Sequence, residues 1–323
     1  MRVLITGATG FIGGRVAERL VSRGHEVVCL VRKTSRISAL ERLGARFYIG
    51  EVTDPVSVLS AFNALRPDAA VHAAASVMSR DETKLFRVNA EGTRNVCDAA
   101  LAARTGRLVH LSSIAVINGN DASLLEDDMP YKATGAYGRS KIAAEMAVLR
   151  AREKGLRTAI IRPCMIYGED EPHAMDRIFY LASRGILPIP GTKEADSALH
   201  MGYVGNIAHI VELALLCEGA LEGTFLAADR EVSTVRRFLE IIYRELKGGR
   251  PPVMPAWAMN AMMSIPVAGG RIKRLFRPRR YDISRAEKIL GYSPEVGFEE
   301  GMVRAVQRWV KKTGAGFVGK AGV

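Results

Sequence analysis

Cysteine is scarce. The 323-residue chain has four, Cys29, Cys97, Cys164 and Cys217. They are widely spaced in apolar contexts with no CxxC pair, which excludes a disulfide framework and a zinc site and leaves reduced, buried thiols. No stretch of about 18 apolar residues runs uninterrupted, so no bilayer-spanning helix is expected. A strand pattern starts at Arg2 with no leader signature before it, and a cytoplasmic protein is expected. There are no internal repeats. Acidic residues are outnumbered, 34 against 46 lysines and arginines, for a net charge of +12. With 48% hydrophobic and 25% charged residues the chain has ample material for a core, which excludes wholesale disorder.

What is present is an alternation. Apolar runs of strand length stand at 2–6, 26–31, 46–50, 69–75, 107–113 and 157–163. Amphipathic stretches at 11–23, 55–65, 82–103 and 137–154 separate most of them. Repeated βα units of this kind predict an α/β fold, a Rossmann-type doubly wound parallel sheet. After Pro163 the rhythm breaks. Helical patterns at 174–185, 204–217, 234–247 and 299–312 and a strand pattern at 223–229 suggest a smaller, irregular region. The predicted organisation is a dinucleotide-binding domain over 1–163, a substrate-binding region over 164–312 with 223–229 returning to the sheet, and a frayed tail over 313–323.

The sequence ITGATGFIGG joins the first strand to the first helix. Gly7, Gly10 and Gly13, with Thr9, Phe11 and Ile12 between them, give a tight turn. There a pyrophosphate can approach backbone N–H groups at a helix start. The spacing is GxxGxxG, a variant of the GxGxxG fingerprint. The second strand ends without the acidic residue that would bind the ribose 2′-hydroxyl of NAD. Arg32 stands there, with Lys33 and Arg36 close by. Cations at that place suit a 2′-phosphate and predict NADP, with NAD as the alternative. Glu51 and Val52 follow the third strand, where the adenine edge belongs. Ala73, Ala74 and Ala75 end the fourth in small residues that let backbone approach the cofactor. His72 is expected to pack in the core, and Asn89 is a candidate for the cofactor side.

Ser112 or Ser113 reaches the carboxyl edge of the fifth strand. Tyr137 and Lys141 share a helix face at i,i+4. A free phenol has a pKa of about 10, too high for base work near neutrality. An adjacent ammonium is expected to lower it, and a nearby serine hydroxyl can hydrogen-bond the substrate oxygen.

These segments resemble the extended short-chain dehydrogenase/reductases. The second half is similar to the 3β-hydroxysteroid dehydrogenase-like branch, through IRPCMIYGED (161–170), YVGNIAHIVELAL (203–215) and the closing YDISRAEKILGYSPEVGFEEGM. The resemblance implies Tyr137 as acid or base, Lys141 on the nicotinamide ribose, Ser113 on the carbonyl, and Pro163, Cys164 and Met165 near the nicotinamide. It implies an alcohol–ketone oxidoreductase with a bulky, apolar substrate, and a homodimer through 82–103 and 137–154. Arg32 departs from the acidic residue common in that branch. The alternative is a nucleotide-sugar epimerase or dehydratase. Against it, Ile114 and Ala115 stand where dehydratases carry Asp-Glu, Met165 where Asn is frequent, and Leu199 where an Arg is found nearby. A non-catalytic NADP sensor would typically lack the Tyr–Lys pair.

One feature lies outside this scheme. PPVMPAWAMNAMMSIPVAGG (251–270) precedes RIKRLFRPRR (271–280), which holds six basic residues in ten. The pair predicts either a lid over an apolar pocket or a peripheral contact with an anionic membrane surface, with no nucleic acid expected.

Overall fold

The computed structural model describes residues 1–265 and 277–314. Seven strands form the central sheet: β1 Arg2–Thr6, β2 Glu26–Val31, β3 Arg46–Ile49, β4 Ala69–His72, β5 Arg107–Leu111, β6 Thr158–Pro163 and β7 Thr224–Ala227. Their order is β7-β6-β5-β4-β1-β2-β3, and every neighbouring pair is parallel. Helices cover both faces, chiefly α1 Phe11–Ser22, α2 Pro55–Leu65, α3 Gly92–Ala102, α4 Ala136–Glu153 and α5 Val204–Leu216. α1 and α5 close one face around Val3, Val16, Leu20 and Ile210, while α2, α3 and α4 close the other around Leu4, Phe62, Leu108 and Val148. Burial on both faces explains why the strands read as continuous Val, Ile, Leu and Ala rather than alternating. The strand order reverses between β1 and β4, and in such sheets that switch point opens a crevice at the carboxyl ends of the strands.

One predicted strand ends early and one predicted helix widens locally. The apolar run at 69–75 stops pairing after His72; Ala73 N–H makes a last bond to the Thr6 carbonyl at 3.0 Å, and the alanines turn off the sheet. The helix expected over 82–103 runs without a gap from Glu82–Phe86 through a π-helical turn, Arg87–Glu91, into α3. The wider turn carries Asn89, whose inward amide binds Ser76.

The second region packs the helices Met175–Ser183, Val235–Lys247 and Phe298–Thr313 around Phe179, Phe238, Ile242, Phe298 and Trp309. A polar junction joins it to the sheet. Asn206 at the start of α5 donates to Asp229 at 2.7 Å and to the Val296 carbonyl at 2.8 Å, and its own carbonyl accepts from the Glu295 and Val296 N–H groups. The apolar stretch forms the helix Ala256–Ser264 after Pro255, with Trp257 75% exposed. The basic residues 271–276 lie outside the described residues, whereas Arg277 pairs with Asp121 at 2.7 Å. Among the described residues no helix is long and apolar enough to cross a membrane.

Candidate active site

The glycine turn is built by close approach. Gly7 adopts φ +76°, open to glycine at no cost, and a Cβ there would lie 2.5 Å from the Ala74 nitrogen. A Cβ on Gly13 would lie 2.2 Å from the Gly7 carbonyl oxygen. The alanines after β4 are therefore packed under the turn itself. Gly10 caps α1 without a side-chain bond, and the first turn of α1 holds no acidic residue. The N–H groups of Phe11, Ile12 and Gly13 precede the first intrahelical donor, the Gly14 N–H that binds the Gly10 carbonyl at 2.9 Å, and stand at the positive end of the helix. A side-chain-free cradle with unsatisfied donors fits the pyrophosphate of a dinucleotide.

The predicted adenosine-side residues divide into two groups. Arg32 and Lys33 line one recess with Thr34, Gly50, Glu51 and Asp54. Arg36 lies across the turn, in a larger cleft lined by Thr9, Gly10, Phe11 and Arg42. Arg32, Lys33 and Arg36 are all exposed. The Glu51 N–H is taken by Ser57 at 3.0 Å and the Val52 carbonyl by Asn95 at 2.9 Å. Asn89 is buried, its carbonyl accepting from Ser76 N–H at 2.7 Å and its amide donating to the Ser76 carbonyl and Ser140 hydroxyl, each at 2.9 Å. Asn89 thus shapes the segment after β4, with both ends of its amide engaged by protein. His72 bonds Thr6 at 2.6 Å and Thr93 at 2.9 Å. Burial drops its pKa to about 3, so it stays a neutral core histidine.

Ser113 follows β5 and caps a short 3₁₀ turn, accepting from the Ala115 N–H at 3.2 Å. Its side chain also hydrogen-bonds Tyr137 in the first turn of α4. Gly138 permits that approach: a Cβ there would come within 2.6 Å of the Ala115 carbonyl oxygen. Lys141, one turn on, is buried and donates to the Leu111 carbonyl at 2.6 Å. This arrangement corrects the electrostatic expectation. Burial holds the Tyr137 phenol above its ordinary value, with the Ser113 bond pulling the other way, because the Lys141 ammonium turns to a carbonyl at the strand end. Lys141 is itself lowered to about 8 by burial, against the pull of Glu145. Pro163 ends β6 buried, and Met165 just beyond is 48% exposed.

Three further residues, Glu145, Tyr131 and Arg162, escaped the sequence reading. Glu145 accepts from Ser112, from Tyr131 at 2.7 Å and from Arg162 at 2.9 and 2.6 Å. Two signals were available: a glutamate four residues after Lys141 on its helix face, and an arginine inside the otherwise apolar run of β6.

A family model for the NAD dependent epimerase/dehydratase family matches residues 3–215. The chain is 29% identical to a 2-alkyl-3-oxoalkanoate reductase of Shewanella oneidensis over 93% of its length and 84% of that protein. It is 26% identical to a 3-beta-hydroxysteroid dehydrogenase of Mycolicibacterium neoaurum, over 94% and 90% of the two chains. Among solved structures, UDP-glucose 4-epimerase from Thermus thermophilus, in complex with NAD, superposes with a TM-score of 0.76 at 26% identity, covering 96% of this chain and 99% of that one. Glycine cradle, switch-point crevice and the Ser113–Tyr137–Lys141 edge agree with these relatives, and the chain belongs to the NAD dependent epimerase/dehydratase family, as an extended NAD(P)-dependent short-chain dehydrogenase/reductase.

Proposed function

We propose that the chain interconverts a secondary alcohol and a ketone on a bulky, largely apolar molecule, with NADP(H) preferred. The observation that carries this reading is the meeting of Ser113, Tyr137 and buried Lys141 at the carboxyl edge of β5, beside the glycine cradle. When bound, the nicotinamide supplies or accepts the hydride. The chain supplies the proton chemistry. Tyr137, held neutral by burial, donates its proton to the developing alkoxide in the reducing direction and takes one from the alcohol in the other. Ser113 is placed to hydrogen-bond the same oxygen. Lys141 remains largely an ammonium near neutrality and can stabilise the phenolate left behind.

An apolar substrate is supported by the half-exposed Met165 just beyond the carboxyl end of β6 and by the two named relatives, a reductase of oxoalkanoates and a steroid dehydrogenase. NADP is supported by Arg32 and Lys33 in the recess at the end of β2. Likeness to a UDP-glucose epimerase keeps a nucleotide-sugar substrate as the competing reading. A panel of long-chain oxo acids, steroids and nucleotide sugars separates the two, using NADPH oxidation and thermal shift. On the best substrate, Tyr137→Phe is expected to lose about a hundredfold or more in kcat while NADPH binding persists. Near wild-type turnover in that variant would refute the mechanism.

A further inference from the structure

A buried charge pair stands directly behind the site. Glu145 is fully buried and Arg162 is 4% exposed. Replacing such a pair by apolar residues of similar volume is often neutral or stabilising, so stability alone gives it no reason to exist. Its contacts suggest another. One oxygen of Glu145 takes the Ser112 hydroxyl and Arg162 Nε; the other takes Tyr131 Oη and Arg162 Nη2. Arg162 Nη1 is anchored on the Asp127 carbonyl at 2.7 Å. Ser112 directly precedes Ser113, and Lys141 lies one helical turn before Glu145. We propose that Glu145, locked by Arg162, is a positioning residue: it fixes the strand end that carries Ser113 and holds Lys141 in its charged form.

The titratable and charged groups around Lys141 are Tyr137 and Glu145 on its own helix, His72 on β4, His110 on β5, Arg162 on β6 and Tyr131 from the preceding loop. Burial keeps both histidines neutral. Glu145 is the charge that opposes the burial of Lys141.

This role rests on the proposed function, and its test is read without turnover first. Lysines carrying ¹³C at Cε are titrated by NMR, with the Lys141 signal assigned by Lys141→Met. Glu145→Gln should lower the Lys141 pKa by about one unit, since an opposing charge is lost. Because that variant strands Arg162, the double variant Glu145→Leu with Arg162→Met keeps a filled, neutral core and should show the same fall. The high-pH limb of kcat for ketone reduction should move down with it. An unchanged Lys141 titration in a folded variant, or a moved titration with an unmoved kcat limb, overturns the role. A wild type that turns over no ketone or alcohol would instead sink the proposed function, and the NMR result would still decide whether Glu145 governs Lys141.

Discussion

Arg32 begins the turn after β2, its own N–H bonded to the Ser35 hydroxyl at 3.1 Å. Its guanidinium has no carboxylate partner among the described residues, although Glu51 and Asp54 line the same recess. Asp54 is engaged in capping α2, where it accepts from Val56 N–H at 3.0 Å. A free guanidinium is what a 2′-phosphate needs, and a carboxylate there would repel it while accepting from a ribose 2′-hydroxyl. Arg32→Asp is therefore expected to reverse the proposed preference for NADP over NAD. One charge-assisted contact is worth roughly 1.5–3 kcal/mol, about ten- to a hundredfold in affinity. Titration of both dinucleotides into wild type and variant checks this, and equal wild-type affinities would remove its basis.

At the scale of elements, the site depends on where helices start. α1 begins at a glycine so that its N–H groups stay free, and α4 begins so that Tyr137 meets Ser113 in its first turn. Asn206, in the first turn of α5, binds that helix to the Asp229 side chain and to the backbone at 295–296. Asp229 also accepts from Tyr167 at 2.9 Å and from the Tyr203 N–H at 3.0 Å. Asn206→Ala removes one side chain and leaves a carbonyl, two N–H groups and a carboxylate oxygen short of partners inside the protein. The expected loss is about 2 kcal/mol or more, read as a melting temperature several degrees lower. An unchanged melting temperature would show that water replaces the amide without cost.

For the whole molecule, protons held differently by the folded and unfolded chains set the response to acid. His72, at about 3, and His110, well below its ordinary value, are both pushed down by burial first and then by the Lys141 charge. The unfolded chain protonates its histidines near pH 6.5, so between there and the folded values it binds more protons, and stability falls as pH falls. Asp127 acts in the opposite sense. Burial raises it to about 6, so below that pH the folded state takes a proton that the unfolded chain does not yet want. His25, His200 and His209 are lowered by burial in the same sense as these two and Asp229 is raised like Asp127, so the histidines outnumber the aspartates. Stability should decline from about pH 6.5 toward 5, by roughly 1.4 kcal/mol per pH unit for each uncompensated proton. Asp127→Asn should make the decline steeper. Calorimetry across that range tests both statements, and a flat profile from pH 7.5 to 5 would contradict them.

Much of this protein could be read from its sequence, because the relevant interactions are short-range. Hydrophobic runs of strand length alternating with amphipathic helices dictate a parallel sheet, since only burial on both faces rewards them. GxxGxxG dictates the cradle, since backbone approach needs residues without Cβ. Tyr137 and Lys141 share a face because 3.6 residues make a turn. Tertiary structure decided the rest. The helix over 82–102 widens to a π-turn at Asn89, whose amide has a partner thirteen residues away in Ser76. Arg36 parted from Arg32 and Lys33 because it faces the cleft lined by the glycine turn, whereas they face a recess lined by Gly50, Glu51 and Asp54. Packing also decided the proton affinities of the site. Tyr137 is held up and Lys141 down by burial, and Glu145 is held by an arginine from another element seventeen residues on. Spacing along a chain reports which groups can meet on one helix; only packing fixes which meet across elements, and how much water is left around their charges.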